Sequence, residues 1–119
     1  MSKHNELGKF GEQLAVDCLL QKGYQILETN WRFQKAEVDI IASQDEWLVA
    51  VEVKTRSTND FGDPQDFVNK KKIKLLVQAI DEYVNRYKLE VEVRFDIVAI
   101  TINEKQLEIE HLEDAFYHF

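Results

Sequence analysis

Leu7, Phe10, Leu14, Cys18 and Leu19 recur three or four positions apart, the spacing that gathers side chains on one face of an α-helix. A helix is therefore predicted over residues 5–22, with Gly23 as its stop. The stretch "YQILETNWRF" is rich in aromatic and branched residues and predicts a strand over 24–33. Two further strands, 36–43 and 46–55, are predicted within "AEVDIIASQDEWLVAVEVKTRS". In the second of them Trp47, Val49, Val51 and Val53 alternate with Leu48, Ala50, Glu52 and Lys54, so the two sets belong on opposite faces of a sheet. "TRSTNDFGDP" reads as a loop punctuated by Gly62 and Pro64.

A long amphipathic helix is predicted over 65–88, with Ile73, Leu76, Val77, Ile80, Tyr83, Val84 and Tyr87 as its apolar stripe. "VEVRFDIVAITI" predicts a strand whose middle is apolar on both faces, as in a strand covered from both sides. "KQLEIEHL" predicts a half-exposed edge strand. The order α-β-β-β-α-β-β points to an α/β fold, an α+β arrangement with helices packed on one mixed sheet. At 119 residues the chain makes a single domain, 1–119, with one core.

Three polar residues interrupt the strand pattern: Asp39, Glu52 and Lys54. A two- or four-residue loop around Gln44 to Glu46 sets the parity at which acids on the two strands share a face. The two-residue version places Asp39 opposite Glu52 and Glu37 opposite Lys54, with Glu37, Asp39 and Ile41 on one face. Opposed residues have Cβ atoms roughly 4.5–5.5 Å apart, so two such carboxylates repel unless something positive lies between them. Mg²⁺ suits that role, because it prefers oxygen ligands at about 2.0–2.1 Å and keeps waters for chemistry. Lys54, roughly 6.6 Å along the strand from Glu52, would reach a metal-bound water or a phosphate without displacing a ligand. An odd loop would undo this pairing unless a bulge restored it. With 31% charged residues, the "EVK" triplet alone carries no weight, and a solvated Glu–Lys pair explains it more simply. The acid on the preceding strand and the basic stretch that follows give it meaning.

Charge changes the picture in both directions. The net charge of −7 opposes general binding to nucleic acid, whose partners are usually basic. The charge is polarised, however. Lys54, Arg56, Lys70, Lys71, Lys72 and Lys74 outnumber the three acids among them, whereas five acids stand against one lysine from Asn103 onward. Any binding to nucleic acid would be weak and salt-sensitive. No apolar run approaches the ~18 residues a membrane span needs, so no membrane partner is expected. The N-terminal "MSKHNELGKFGE" lacks the apolar core of a secretory signal. Cys18 has no second cysteine to pair with, and it is read as a core thiol of a cytoplasmic protein.

The combination of "GKFGEQLAVDCLLQKGY", "AEVDIIA", "VEVKTR", "FGDP" with "VNKKK", and "VRFDIVAI" with "EDAF" resembles the YraN-like family of small bacterial proteins. That family is predicted to be related to archaeal Holliday-junction resolvases. Through them the chain resembles the restriction-endonuclease-like PD-(D/E)xK superfamily. The resemblance covers Gly8 to Phe116 and implies a restriction-endonuclease-like α-β-β-β-α-β core with an extra edge strand. It implies Mg²⁺- or Mn²⁺-dependent hydrolysis of DNA phosphodiester bonds, with branched or damaged DNA as the substrate by analogy. Carried over by position, Asp39 and Glu52 would bind the metal, with the Val53 carbonyl as a further ligand. Glu12 would help hold a second ion, and Lys54 would orient or activate the attacking water. Lys71, at the helix start, would contact phosphate, and Arg56, Lys70, Lys72 and Lys74 would extend that nucleic-acid-binding patch. Resolvase-like enzymes cut as dimers, so a homodimer is the implied assembly. Where the family usually has glycine before the acid at Glu37, this chain has Ala36.

The alternative from another class is a non-catalytic nucleic-acid-binding or protein-interaction module that keeps the fold. His4, His111 and His118 show no metal-ligand spacing, and His111 is expected to be half exposed on its edge strand. Arg94 and Asp96 share a face and predict a structural ion pair. Trp31 and Phe33 are expected to pack in the core rather than stack on bases.

Overall fold

The computed structural model describes residues 3–57 and 69–116, with side chains from Glu6 onward. The predicted loop holding Gly62 and Pro64, the predicted helix start over 65–68, the side chain of His4, and His118 lie outside the described residues. The elements are α1 (Lys3–Gln21), β1 (Gln25–Phe33), β2 (Ala36–Gln44), β3 (Trp47–Arg56), α2 (Lys70–Arg86), β4 (Glu92–Ile102) and β5 (Leu107–Leu112). The five strands form one sheet in the order β1-β2-β3-β4-β5. Its only parallel pairing among the described residues is β3 with β4, and α2 supplies the crossover such a pair requires. The architecture is thus α+β, with a mixed sheet and two helices, in the element order the sequence predicts.

Alternation along the strands divides the core in two. Leu48, Ala50 and Phe95 pack with Leu76, Ala79, Ile80 and Tyr83 of α2. Val49, Val51, Val98 and Ile100 pack on the other face with Ala15 and Leu19 of α1. Trp31 and Phe33 join the α2 side, as expected of core aromatics. The two helices therefore cover opposite faces.

Helix α1 buries only part of the stripe its apolar residues predict. Leu19 is fully buried and Leu14 packs on the core beside it, but Phe10 is 52% exposed and Cys18 only half buried, while Ala15, outside the stripe, is fully buried. Gly11 explains the rotation: a Cβ there would collide with the Thr55 side chain of β3. The helix approaches the sheet through its smallest residues, and that close contact outranks the larger apolar side chains. Gly23 at φ 91 ends α1, with the Tyr24 N–H donating to the Leu19 carbonyl and the Gly23 N–H to that of Leu20. This is the glycine-closed helix end the sequence suggests.

Helix α2 begins later than the apolar stripe predicts. Asn69 caps it, its side-chain oxygen accepting from the Lys72 N–H at 2.9 Å. The far end stops at Arg86 rather than 88, because Lys88 takes φ 52, a left-handed conformation that closes helices. No described helix is long and apolar enough to cross a membrane.

Candidate active site

The β2–β3 hairpin uses a two-residue loop, Asp45 and Glu46, with Gln44 paired to Trp47. Counting on from that register sets Asp39 level with Glu52, one of the two arrangements the sequence allows. The paired ladder, however, ends at Ile40 and Val51. Past that point β2 continues beside β1 as far as Ala36, and β3 continues beside β4 as far as Arg56. The two middle strands fork, and the acids stand in the fork.

Strict alternation also fails here. Val38 and Ile41 both pack on the α2 side while Ile40 and Ala42 pack on the α1 side, so one residue of β2 is out of phase, and the β1 residue level with Asp39, Asn30, has φ 53. Irregularities of this kind re-aim a side chain. The Asp39 carboxylate turns into the gap, where Oδ2 accepts from the Val53 N–H at 2.8 Å. The carboxylate thus replaces a backbone partner that the forked strands no longer supply.

Glu52 is only 4% exposed. It shares a hydrogen bond with the Asp39 carboxyl and forms an ion pair with the Lys72 ammonium. Burial, followed by the Glu52 charge, pushes the Asp39 carboxyl up to about 8; the Val53 N–H acts against the shift, and the charge of Glu12 adds to it. A pair that has recruited both a proton and an ammonium is chemically suited to a hard divalent cation, for which carboxylate oxygens are the natural ligands. Asp39 and Glu52 fit Mg²⁺ or Mn²⁺ as two protein ligands. Among the described residues, no three of His, Cys, Asp and Glu are gathered closely enough to hold a metal as they stand.

A cleft of about 340 Å³ opens over the pair, walled by Lys35, Glu37, Asn69, Lys71 and Lys72. The sequence-derived candidates distribute around it unevenly. Asp39, Glu52, Lys71 and Lys72 line the cleft. Glu12 acts on Asp39 through its charge alone, from the helix on the other face. Lys54 follows Glu52 by two residues, is half buried, and does not line the cleft. Arg56 ends β3, half buried beside Thr101 of β4. Lys70 and Lys74 are exposed on α2, away from the cleft wall.

Several sequence expectations need correction. The β2–β3 ladder stops before it sets Glu37 against Lys54; Glu37 forms an ion pair with Arg32 across β1 and β2 at 2.8 Å, because the fork has carried β2 away from β3. Lys72, expected in the nucleic-acid-binding patch, also forms an ion pair with Glu52 that the sequence does not indicate. Lys35 was not expected at the site at all. It arrives through the β1–β2 turn, and no spacing along the chain marks it. Ala36 is buried in regular β2 and has no positive φ, so this position does not need a glycine's conformational freedom.

His111 is the largest departure outside the site. Its side chain is 2% exposed rather than half exposed. Nε2 meets Asp96 Oδ2 at 2.7 Å, and Nδ1 meets the Lys22 ammonium at 2.9 Å. An ammonium only donates, so Nδ1 accepts and Nε2 carries the proton given to Asp96. The expected Arg94–Asp96 pair is present as two bonds, at 2.9 and 2.8 Å. Burial alone would raise the fully buried Asp96, but bonds from His111, Arg94 and the Asp114 N–H outweigh it and hold the carboxyl below its ordinary value.

The model of the uncharacterised protein family UPF0102 matches residues 11–100 of the chain. A UPF0102 protein of Flavobacterium psychrophilum is 62% identical over 119 residues, covering all of both chains. One from Christiangramia forsetii is 59% identical, again over the whole of both. A more distant relative from Phocaeicola vulgatus is 42% identical over 117 residues, covering 98% of this chain and 97% of its own.

Proposed function

We propose that this chain, which belongs to the UPF0102 family, is a metal-dependent endonuclease of restriction-endonuclease-like fold that hydrolyses phosphodiester bonds of DNA. The expected YraN-like resemblance agrees with that family. The observation carrying the activity is the facing pair of half-buried Asp39 and buried Glu52 in the fork of the sheet, opening into a cleft lined with lysines. Carboxylates placed so close are costly without a cation, and a lysine-walled cleft accommodates phosphate.

Asp39 and Glu52 would hold Mg²⁺ or Mn²⁺, which when bound polarises the phosphate and lowers the pKa of its water. The Val53 N–H fixes the orientation of Asp39, so the carboxylate arrives with one oxygen already committed. Glu12 contributes negative charge from α1. Lys54, on the strand that carries Glu52, orients the attacking water. Lys71 lines the cleft, where the deoxyribose–phosphate chain would pass. With a net charge of −7, affinity rests on this local patch and falls steeply with salt. Branched or damaged DNA, a homodimeric assembly and a cytoplasmic location belong to the same reading.

The test is cleavage of a panel of linear, nicked and branched DNA substrates with Mg²⁺ or Mn²⁺, comparing wild type with Asp39→Ala and Lys54→Ala. Metal-dependent cutting lost in both variants is the expected result. One observation favours the non-catalytic alternative, a binding module: no third His, Cys, Asp or Glu joins the pair among the described residues. Metal binding without cleavage of any substrate would establish that alternative.

A further inference from the structure

From the ion pair between Lys72 and Glu52 we infer that Lys72 is an internal stand-in for the metal, released to the substrate phosphate when a divalent cation takes Glu52. The inference rests on the proposed metal site and adds a coupling between cation and phosphate binding. Lys72 occupies the third position of α2, its N–H held by the Asn69 cap. At that position an acid is favoured, because the helix N-terminus carries partial positive charge and an acid there reaches back to the cap. A lysine contradicts the local preference, and such contradictions collect at functional sites.

The surroundings of Glu52 explain the exception. A carboxylate 4% exposed needs a counter-ion, and the partly exposed Lys72 side chain reaches it from above the cleft. Lys72 and a divalent cation compete for the same carboxylate. When the cation binds, the freed ammonium remains tethered at the cleft wall next to Lys71, where a phosphate anion becomes its next partner. By linkage, phosphate bound at Lys72 strengthens cation binding by the same factor. The cleft thus satisfies its own charges when empty and frees Lys72 for phosphate once a cation holds Glu52.

Binding of Mn²⁺ alone, followed by electron paramagnetic resonance of the free ion at one fixed pH, tests this without any cleavage reaction. Lys72→Met is expected to bind Mn²⁺ about tenfold more tightly than wild type, a modest coupling between two ligands. Its metal-free melting temperature is expected to fall. Lys72→Arg keeps the counter-ion and should restore the wild-type affinity. Lys71→Met removes a neighbouring charge that does not touch Glu52 and should change affinity by no more than about twofold, as screened charges do. If wild type and Lys72→Met bind Mn²⁺ equally, or the variant binds more weakly, the stand-in role is overturned while the metal site stands. If neither protein binds Mn²⁺, the metal site and the stand-in role both fall.

Discussion

The Val53 N–H donates to Oδ2 of Asp39 at 2.8 Å, across strands whose backbone ladder has already ended at Ile40 and Val51. One side chain therefore both repairs the split sheet and supplies the acid that faces Glu52. The site is built where the fold is least regular, and its properties follow from that position.

The pH dependence of stability should carry the mark of Asp39. Its folded-state value of about 8 lies above the ordinary 3.8, so between these values the folded state holds a proton that the unfolded state has lost. Stability without metal therefore falls as pH rises from about 4 to about 8 and levels off beyond. Asp39→Asn keeps an acceptor for Val53 and no longer has to take up a proton on folding, so at neutral pH its melting temperature should rise by at least about 3 °C. Thermal melts across this range check both statements. Mn²⁺ affinity should increase over the same interval, since the metal must displace the proton.

Catalytic losses should grade with distance from the pair. Replacing Asp39 or Glu52 by alanine removes a ligand and should reduce cleavage on the order of 10³-fold or more. Lys54→Ala should cost roughly 10²–10⁴-fold, the range of a lost proton-transfer partner. Glu12→Gln, which acts on Asp39 only through charge, should cost roughly 10–100-fold, as a supporting group does. Single-turnover rates at saturating metal measure the order. Equal losses for Glu12 and Asp39 would place Glu12 among the direct ligands.

The strand pair, its register and its two acids were legible because alternation and a short turn are local properties of the chain. The fork was not, since it depends on β2 staying with β1 while β3 stays with β4. For that reason the register counted from the turn sets Glu37 opposite Lys54, whereas Glu37 is found on Arg32. Lys72 looked like one of several equivalent lysines, and only the packing of α2 over the sheet sets it on Glu52. Phe10 was misplaced because helical spacing counts apolar residues, whereas a close helix–sheet contact selects the smallest, Gly11 and Ala15.

That contact predicts a mutation with effects at two levels. Gly11→Ala inserts a methyl group where Thr55 already stands, and overpacking of this kind costs about 1–3 kcal/mol. Relief requires α1 to lift from β3, which carries the adjacent Glu12 away from Asp39. Urea unfolding should show the lost stability, and the double variant Gly11→Ala with Thr55→Ala, which removes the clashing hydroxyl, should recover part of it. A Gly11→Ala protein as stable as wild type would mean that helix and sheet separate there without cost.

The buried cluster around Asp96 faces α1, whereas Glu52 opens toward α2, and the two should respond independently. Asp96 receives Arg94, His111 and the Asp114 N–H, tying β4 to β5 and to the chain beyond it. Asp96→Asn leaves the buried Arg94 charge with only the exposed Glu113, at 3.4 Å, as counter-ion, and breaking a buried pair of this kind costs up to about 3–5 kcal/mol. Because Asp96 sits below its ordinary value, its contribution is present at neutral pH and is lost as acid protonates it below about 4. The wild type should therefore lose this contribution in acid while Asp96→Asn, already without it, changes less. Mn²⁺ affinity at Asp39 and Glu52 should be unchanged in folded Asp96→Asn, because Val51, the β3 residue level with Asp96, packs on the α1 side. Denaturant unfolding at neutral and acid pH, beside an Mn²⁺ titration, separates a brace of the fold from a second part of the site.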